Sequence, residues 1–444
     1  MKASAGKRVL MLLENGTYPK DGRVRREAGT LTAAGFDVTV IAPGDREQPK
    51  RETINGVRVY RYRGPAGGNG LLGYAWEYGY SMAAAFALSL VVFFRHGFDL
   101  IHAHNPPDFY VAIAAFYKLF GKRFVFDHHD LSPEMYYARF SGGGNRLVHR
   151  VLVFFEKWSC RLADRVIATN ESYKAMEVER SGISPDKVTI VRNGPDLGRV
   201  RRVAPDPALR AMNRTIIGYI GVMGYQDGID YLLRALRHVI DDLGRADFYC
   251  VLIGTGDAIE SLKALADELQ LQDYVRFTGY IPDEEMICCL SSADVFVDPD
   301  PANPFNDRST MIKMMEYMAM GRPIVCFDLT EHRATADDAA LYARPNEELD
   351  LARKIVELMG SPQLCSDLGR RGQQRLEQQL AWPHQEGSLL SAYEQLGLYA
   401  SARTMAQQPA IPQMTAPQAT AQRGGGVSPA SVATTAGQEY VAAK

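Results

Sequence analysis

The chain has 444 residues, too many for one hydrophobic core of ordinary size, so two domains are expected. Its 46% hydrophobic and 23% charged content is that of a soluble globular protein, and a net charge of −2 gives no basic balance pointing to a nucleic-acid partner. Six scattered cysteines, of which only Cys288 and Cys289 are neighbours, lack metal-ligand spacing and suit a reducing cytoplasm better than a disulfide scaffold.

In chain order, the opening "MKASAGKRVLMLLENG" runs into a buried-strand pattern rather than a secretory leader. The strand "RVLMLLE" (8–14) leads through the loop "GTYPKDGR" to a helix that ends at Gly35. "DVTVIAP" (37–43) and "VRVYRYR" (57–63) follow. The most apolar run, "SMAAAFALSLVVFF" (81–94), is shorter than the roughly 20 residues that span a bilayer, and is expected to be a buried or interfacial helix. Strands "LIHAH" (100–104), "RFVFDHH" (123–129), "RVIATN" (165–170) and "VTIVRNG" (188–194) complete the first half. Strands alternating with helix-length segments imply βαβ units and a parallel sheet covered on both faces.

The Pro-containing polar stretch at 195–210 reads as a linker, after which the alternation restarts. "TIIGYIG" (215–221), a helix over 229–243, "DFYCVLIG" (247–254), a helix over 257–269, "VRFTGYI" (275–281), "DVFVDP" (294–299) and "PIVCFD" (323–328) make a second half. The expected organisation is a first Rossmann-like domain over 1–200, a second over 201–381, a crossover helix within 382–400 and a disordered tail over 401–444, poor in aromatic residues.

Doubly wound sheets bind ligands beyond the carboxyl ends of their strands. The loops there in the second half include "GVMGYQDG", with Gly221, and "GTGD", with Gly254; each alone is weak evidence for a phosphate cradle. The loop "DPANPFNDRST" opens a Met-rich helix on which Ser309, Lys313 and Glu316 share one stripe. Two readings stay open from spacing alone. Ser309 and Thr310 are an ordinary N-cap and Lys313 pairs with Glu316, or an anion sits at the helix tip, Lys313 holds it, and Glu316 accepts hydrogen bonds from ribose hydroxyls. "DPD" at 298–300 has the letters of a metal motif but precedes this helix, and no metal site is expected.

Residues 8 to about 397 resemble glycosyltransferase family 4, the retaining, nucleotide-sugar-dependent enzymes of the GT-B fold. The resemblance is carried in order by "YPKDGRVRREAGTLTAAGFDVTVIAP", "DLIHAHNPPD", "FDHHDLSPE", "ADRVIATNES", "VTIVRNGPD", "DGIDYLLRAL", "VRFTGYIP" and "MEYMAMGRPIV". It implies an α/β fold of two Rossmann-like domains facing a cleft, the first on the acceptor side and the second binding the donor. Glu316 matches the second glutamate of the family's Glu-x7-Glu pair, which binds the nucleotide ribose. The first falls at Arg308, with Asp307 beside it as the candidate substitute. The family's phosphate-gripping Arg and Lys align with Val222 and Asp227, so Arg308 and Lys313 become the expected cationic replacements. His129 matches a histidine near the reacting sugar carbon. Gly22 and Arg23 lie in the loop that approaches donor phosphates, backbone atoms near Tyr280 and Ile281 meet the base, and His104, Asn105 and Asp130 border the acceptor.

The resemblance thus implies a glycosyl transfer from a nucleotide diphosphate-sugar to a glycan or lipid-linked acceptor, as in bacterial surface polysaccharide synthesis. No separate cofactor and no metal are expected, because the donor is itself the nucleotide ligand. A cytoplasmic protein is expected, with peripheral association on the inner face of the membrane through the apolar 72–95 segment. The departures at Arg308, Val222 and Asp227 keep two alternatives open: a sugar-nucleotide-binding protein without transfer activity, and an epimerase of the same fold.

Overall fold

The computed structural model describes residues 8–64, 70–139, 144–195 and 197–398; the tail expected to be disordered lies outside them. Among the described residues the chain builds two sheets. The first contains β1 (Arg8–Leu12), β2 (Asp37–Gly44), β3 (Arg51–Ile54), β4 (Val57–Arg63), β5 (Leu100–His104), β6 (Arg123–His128), β7 (Arg165–Ala168) and β8 (Val188–Ile190), in the order β3-β4-β2-β1-β5-β6-β7-β8. The second contains β9 (Thr215–Ile220), β10 (Phe248–Ile253), β11 (Val275–Gly279), β12 (Val295–Asp298), β13 (Ile324–Phe327) and β14 (Ala340–Ala343), in the order β11-β10-β9-β12-β13-β14. All pairings are parallel except β3 with β4. Strands such as "LIHAH" and "IVCF" are buried along their whole length, because helices cover both faces of a parallel sheet.

The helices of the first unit are α1 (Gly22–Ala33), α2 (Gly70–Arg95), α3 (Val111–Lys118), α4 (Ser132–Arg139), α5 (Arg146–Leu162) and α6 (Glu171–Ser181). Those of the second are α7 (Pro207–Ala211), α8 (Ile229–Asp241), α9 (Ile259–Glu268), α10 (Asp283–Ser292), α11 (Ile312–Ala319), α12 (Thr330–Ala336), α13 (Glu348–Met359) and α14 (Pro362–Arg375), and α15 (Trp382–Glu394) follows. Local chemistry fixes several ends. Asp21 caps α1 by accepting from the Val24 N–H, and Asn170 caps α6 by accepting from that of Tyr173. Gly182, at φ 66°, closes α6 in the left-handed conformation that a side chain disfavours.

One core of the first sheet lies under α2, α3, α5 and α6, with Ala85, Val92, Ile113, Cys160 and Tyr173 fully buried. The opposite face packs α1 and also α15, which returns from the second unit. There the Trp382 indole N–H donates to Thr30 Oγ1 at 3.0 Å, and the Tyr393 hydroxyl meets His102 Nδ1 at 2.8 Å. The apolar 81–94 run belongs to a longer helix than its hydrophobicity suggests, since α2 has 26 residues. From Trp76 to Arg95 it is long and apolar enough to cross a membrane by length and composition. It nevertheless lies on the sheet, with Ala85 and Val92 in the core and Ser89 hydrogen-bonded to Tyr117.

Candidate active site

Beyond the carboxyl ends of their strands the two units meet, the turn after β7 touching the loop after β12. The loops after β1, β5 and β6 of the first sheet and after β9, β10, β11 and β12 of the second leave the same ends of their strands, where a doubly wound sheet binds ligands. Several contacts join the units. Asn170 Nδ2 donates to Thr310 Oγ1 at 2.9 Å and to the Arg308 carbonyl at 2.8 Å. The Tyr173 hydroxyl lies 3.1 Å from Ser309 Oγ, and Ser172 Oγ donates to Glu331 at 2.6 Å.

These contacts correct the expected N-cap. The cap residue of α11 is Met311, whose side chain makes no capping bond. Ser309 Oγ donates instead to the Phe305 carbonyl, and Thr310 Oγ1 is shared with Asn170 and Glu331. A helix whose first N–H groups receive no side-chain cap keeps them, and its positive dipole end, for an anion.

Glu316 sits one turn deeper on the same helix and is half-buried. Its carboxylate has no hydrogen-bond partner among the described residues. Burial pushes its pKa up, and the charges of Arg199 and, from α1 in the first unit, Arg26 pull it back. It therefore lies within electrostatic reach of Arg26 on α1. The Lys313–Glu316 pair of the ordinary helix reading is not made.

Lys313 is placed otherwise than expected. Its Nζ lies 2.7 Å from Asp300 Oδ1 and 3.1 Å from Asp298 Oδ1, over the Tyr219 ring, with 9% of the residue exposed. Burial alone would lower its pKa, but the two carboxylates hold it well above the ordinary value. The Asp-Pro-Asp motif thus serves as the counter-charge to this lysine, and Lys313 is not a free cation for a diphosphate. Asp298, Asp300 and His332 form a carboxylate–histidine cluster whose positive partner is that ammonium.

Arg308 and Asp307 also depart from expectation. The Arg308 guanidinium donates to the Pro304 carbonyl and helps line a groove of about 550 Å³ whose walls include Glu134, Lys157, Met176, Glu179 and Arg180. It faces the α4–α6 side rather than Lys313. Asp307 accepts from the Thr330 N–H at 2.9 Å and the Thr330 hydroxyl at 3.1 Å, fixing the start of α12, so it is engaged as a loop anchor rather than poised as a substitute carboxylate.

In the first unit Arg23 is likewise committed. Its guanidinium forks onto both Asp127 oxygens at 2.7 Å and donates to the Val191 carbonyl and Asn193. It is a buried structural ion pair, not a phosphate ligand. Asp127 also takes His104 Nδ1 at 2.8 Å. His104 is fully buried, so it packs beneath the cleft instead of bordering an acceptor. Glu27, His102, His104 and Asp127 form a second carboxylate–histidine cluster, with Arg23 as its cation. Burial there pushes Glu27 up to about 7, and holds His102 well below its ordinary value.

His129 remains at the rim, 3.6 Å from Asp127 through Nδ1. Asn105 is buried and acts as its bracket rather than as an acceptor contact: its Oδ1 accepts from the N–H groups of His129 and Asp130, and its amide donates to Asp108 and the Asp130 carbonyl. Asp130 itself is 6% exposed at the same turn. Gly22 begins α1. Gly221 and Gly254 meet backbone to backbone: a Cβ on Gly254 would lie 1.9 Å from the Gly221 carbonyl oxygen. Both adopt positive φ, 154° and 134°. These glycines let the two loops close on each other. Tyr280 is 62% exposed after β11, with Ile281 partly buried beside it.

Sequence reasoning missed Asn306, Asn170 and Glu331. Asn306 is buried and ties the β12 loop to the β9 loop by donating to the Gln226 carbonyl at 2.9 Å. A signal existed only for Asn170, an Asn immediately before a helical pattern.

Comparisons with known proteins bear on the family and the fold. Residues 23–199 match the description "Glycosyltransferase Family 4", and residues 214–361 match "Glycosyl transferases group 1". Together they span most of the chain, which belongs to glycosyltransferase family 4 and is a GT-B glycosyltransferase. A 2-deoxystreptamine glucosyltransferase of Streptomyces kanamyceticus is 23% identical over 262 residues, covering 57% of this chain and 66% of that enzyme. The fold is also that of the sucrose-phosphate synthase of Thermosynechococcus elongatus, with TM-score 0.72 at 20% identity over 88% of this chain and 99% of the other. Anabaena HepE, solved in complex with UDP-glucose, superposes with TM-score 0.64 at 17% identity over 87% and 99%.

Proposed function

We propose that the protein transfers a sugar from a nucleotide diphosphate-sugar to a glycan or lipid-linked acceptor, with retention of configuration. In this reading residues 1–200 form the acceptor-side domain and 201–381 the donor-binding domain. The observation that carries it is Glu316, a carboxylate without a hydrogen-bond partner among the described residues, one turn below a helix tip whose cap residue makes no side-chain capping bond. A diphosphate at the tip and a ribose beside Glu316 use both features. HepE's complex with UDP-glucose lends support for a uridine donor.

Glycosyl transfer develops oxocarbenium character at the anomeric carbon and negative charge on the departing diphosphate. With Arg23 and Lys313 committed to buried carboxylates, the stabilising charge falls to the α11 N–H groups and the glycine loops after β9 and β10. His129, held by Asn105, contributes to binding the donor sugar. The departing phosphate draws the acceptor proton, so no enzymic nucleophile is needed.

One observation favours a second reading. The three cations expected on the diphosphate are all engaged elsewhere, as a binding protein without turnover would tolerate. Incubation with radiolabelled nucleotide sugars and membrane extract separates the two: glycosylated product together with free nucleotide supports transfer, and saturable binding without nucleotide release overturns it.

A further inference from the structure

The outer surface of the layer formed by α2, α3 and α5 has a composition that a water-facing layer does not require. Along α2 the outward positions are Trp76, Tyr80, Ala83, Ala87 and Phe94, while Ser81, Ala85, Ser89 and Val92 face the sheet. An amphipathic helix of a soluble protein places charged residues on the outward stripe; α2 has apolar and aromatic residues there until Arg95. The turn after α3 exposes Leu119 and Phe120 at 82% and 55%, and α5 exposes Leu147, Val151 and Phe154.

Ring contacts link these segments. Phe93 meets Phe94 at 5.5 Å and Phe120 at 6.0 Å, joining α2 to the turn after α3. Tyr78 meets Phe109 at 5.7 Å, which meets Phe155 at 4.6 Å, joining α2 to α5.

Charge on this layer is sorted as well. Arg95, Arg146 and Arg150 are exposed beside the apolar tips, and Lys122 lies over the Phe93 ring. Helices α2 and α5 carry one acid each: Glu77 is half-buried, and Glu156 is buried and bound by Arg180. A chain of net charge −2 thus presents basic residues around an apolar surface. Aromatic and aliphatic tips ringed by arginine and lysine suit the interface of an anionic bilayer, where rings enter the headgroup region and cations meet lipid phosphates. The same layer reaches the cleft, because α4 follows the His129 turn directly and its Tyr137 ring lies 4.4 Å from that of His149 on α5.

We propose that the outer face of α2, the turn after α3, and α5 form a docking surface for an anionic lipid bilayer, bringing a lipid-linked acceptor to the His129 side of the cleft. Docking itself does not depend on the transfer reaction. The test is flotation of the full-length protein with vesicles of phosphatidylglycerol and phosphatidylethanolamine, with pure phosphatidylcholine vesicles as comparison and without nucleotide. Expected is binding to the anionic vesicles that falls with salt and is weaker on phosphatidylcholine. The Phe94→Asp/Phe154→Asp pair, and separately Leu119→Asp/Phe120→Asp, should each weaken it by about tenfold or more with an unchanged melting temperature, since these side chains are exposed. Arg146→Glu/Arg150→Glu should remove the preference for anionic lipid. Absence of vesicle binding, or binding that none of these changes weakens, overturns the proposal. Self-association abolished by the same substitutions, without vesicle binding, assigns the face to a second copy of the chain and overturns it equally. Nucleotide binding, measured without vesicles, reports separately on the transferase reading.

Discussion

Lys313 Nζ and Asp300 Oδ1 lie 2.7 Å apart inside the second unit, with Asp298 completing the set. Removing a buried ion from such a set leaves uncompensated charge. Lys313→Met should lower unfolding free energy by about 3–5 kcal/mol in urea titration. Adding Asp298→Asn and Asp300→Asn should restore much of it. A single variant as stable as the parent would show that the ammonium does not balance these carboxylates.

The meeting of Gly221 and Gly254 gives a second expectation. Gly254→Ala drives a Cβ to 1.9 Å from a carbonyl oxygen at φ 134°, and should cost about 3 kcal/mol or more. Gly244→Ala has a positive φ of 64° but nothing within 4 Å, so it should cost only the left-handed penalty of about 1–2 kcal/mol. Urea midpoints of the two variants measure the difference; equal costs would contradict the close approach.

The third expectation concerns pH. Burial alone would lower the pKa of His128, but the Glu177 hydrogen bond and the charges of Glu177 and Glu156 raise it from 6.5 to about 9. A folded-state pKa above the unfolded one means stability fully present below pH 6.5 and lost as pH rises through about 9. The loss amounts to roughly 3 kcal/mol. Glu27 and Glu156, each pushed up to about 7, lose their contributions at lower pH, between their ordinary value and about 7. The fall between pH 7.5 and 9 should therefore flatten in His128→Gln, as thermal melts across that window would show; an identical slope would contradict it.

Much of the architecture was legible because parallel strands are short apolar runs between helix-length segments, so "LIHAH" and "RFVFDHH" announce themselves. Short edge elements were not: β3, "RETI", carries an exposed charge at Arg51 and lies at the sheet edge against β4, and β14, "ALYA", is four residues long. In the candidate site, Glu316 was singled out through its place in a family motif, and the structure sets it half-buried one turn into α11. Ser309, Thr310, Lys313 and Arg23 were misread for one reason. Each is a polar residue that meets a partner on another element: Tyr173 of α6 for Ser309, the α6 cap Asn170 for Thr310, Asp298 and Asp300 at the end of β12 for Lys313, and Asp127 of β6 for Arg23. Spacing along a helix cannot disclose a partner contributed by another element.

The most direct measurement is calorimetric titration of nucleoside diphosphates and their 2′-deoxy forms into the protein and its Glu316→Ala variant. If Glu316 grips the ribose, the protein binds its preferred nucleotide about ten- to a hundredfold more tightly than the deoxy form, and the variant binds both equally weakly. Unchanged affinity in Glu316→Ala, with the deoxy form still discriminated, would contradict the account.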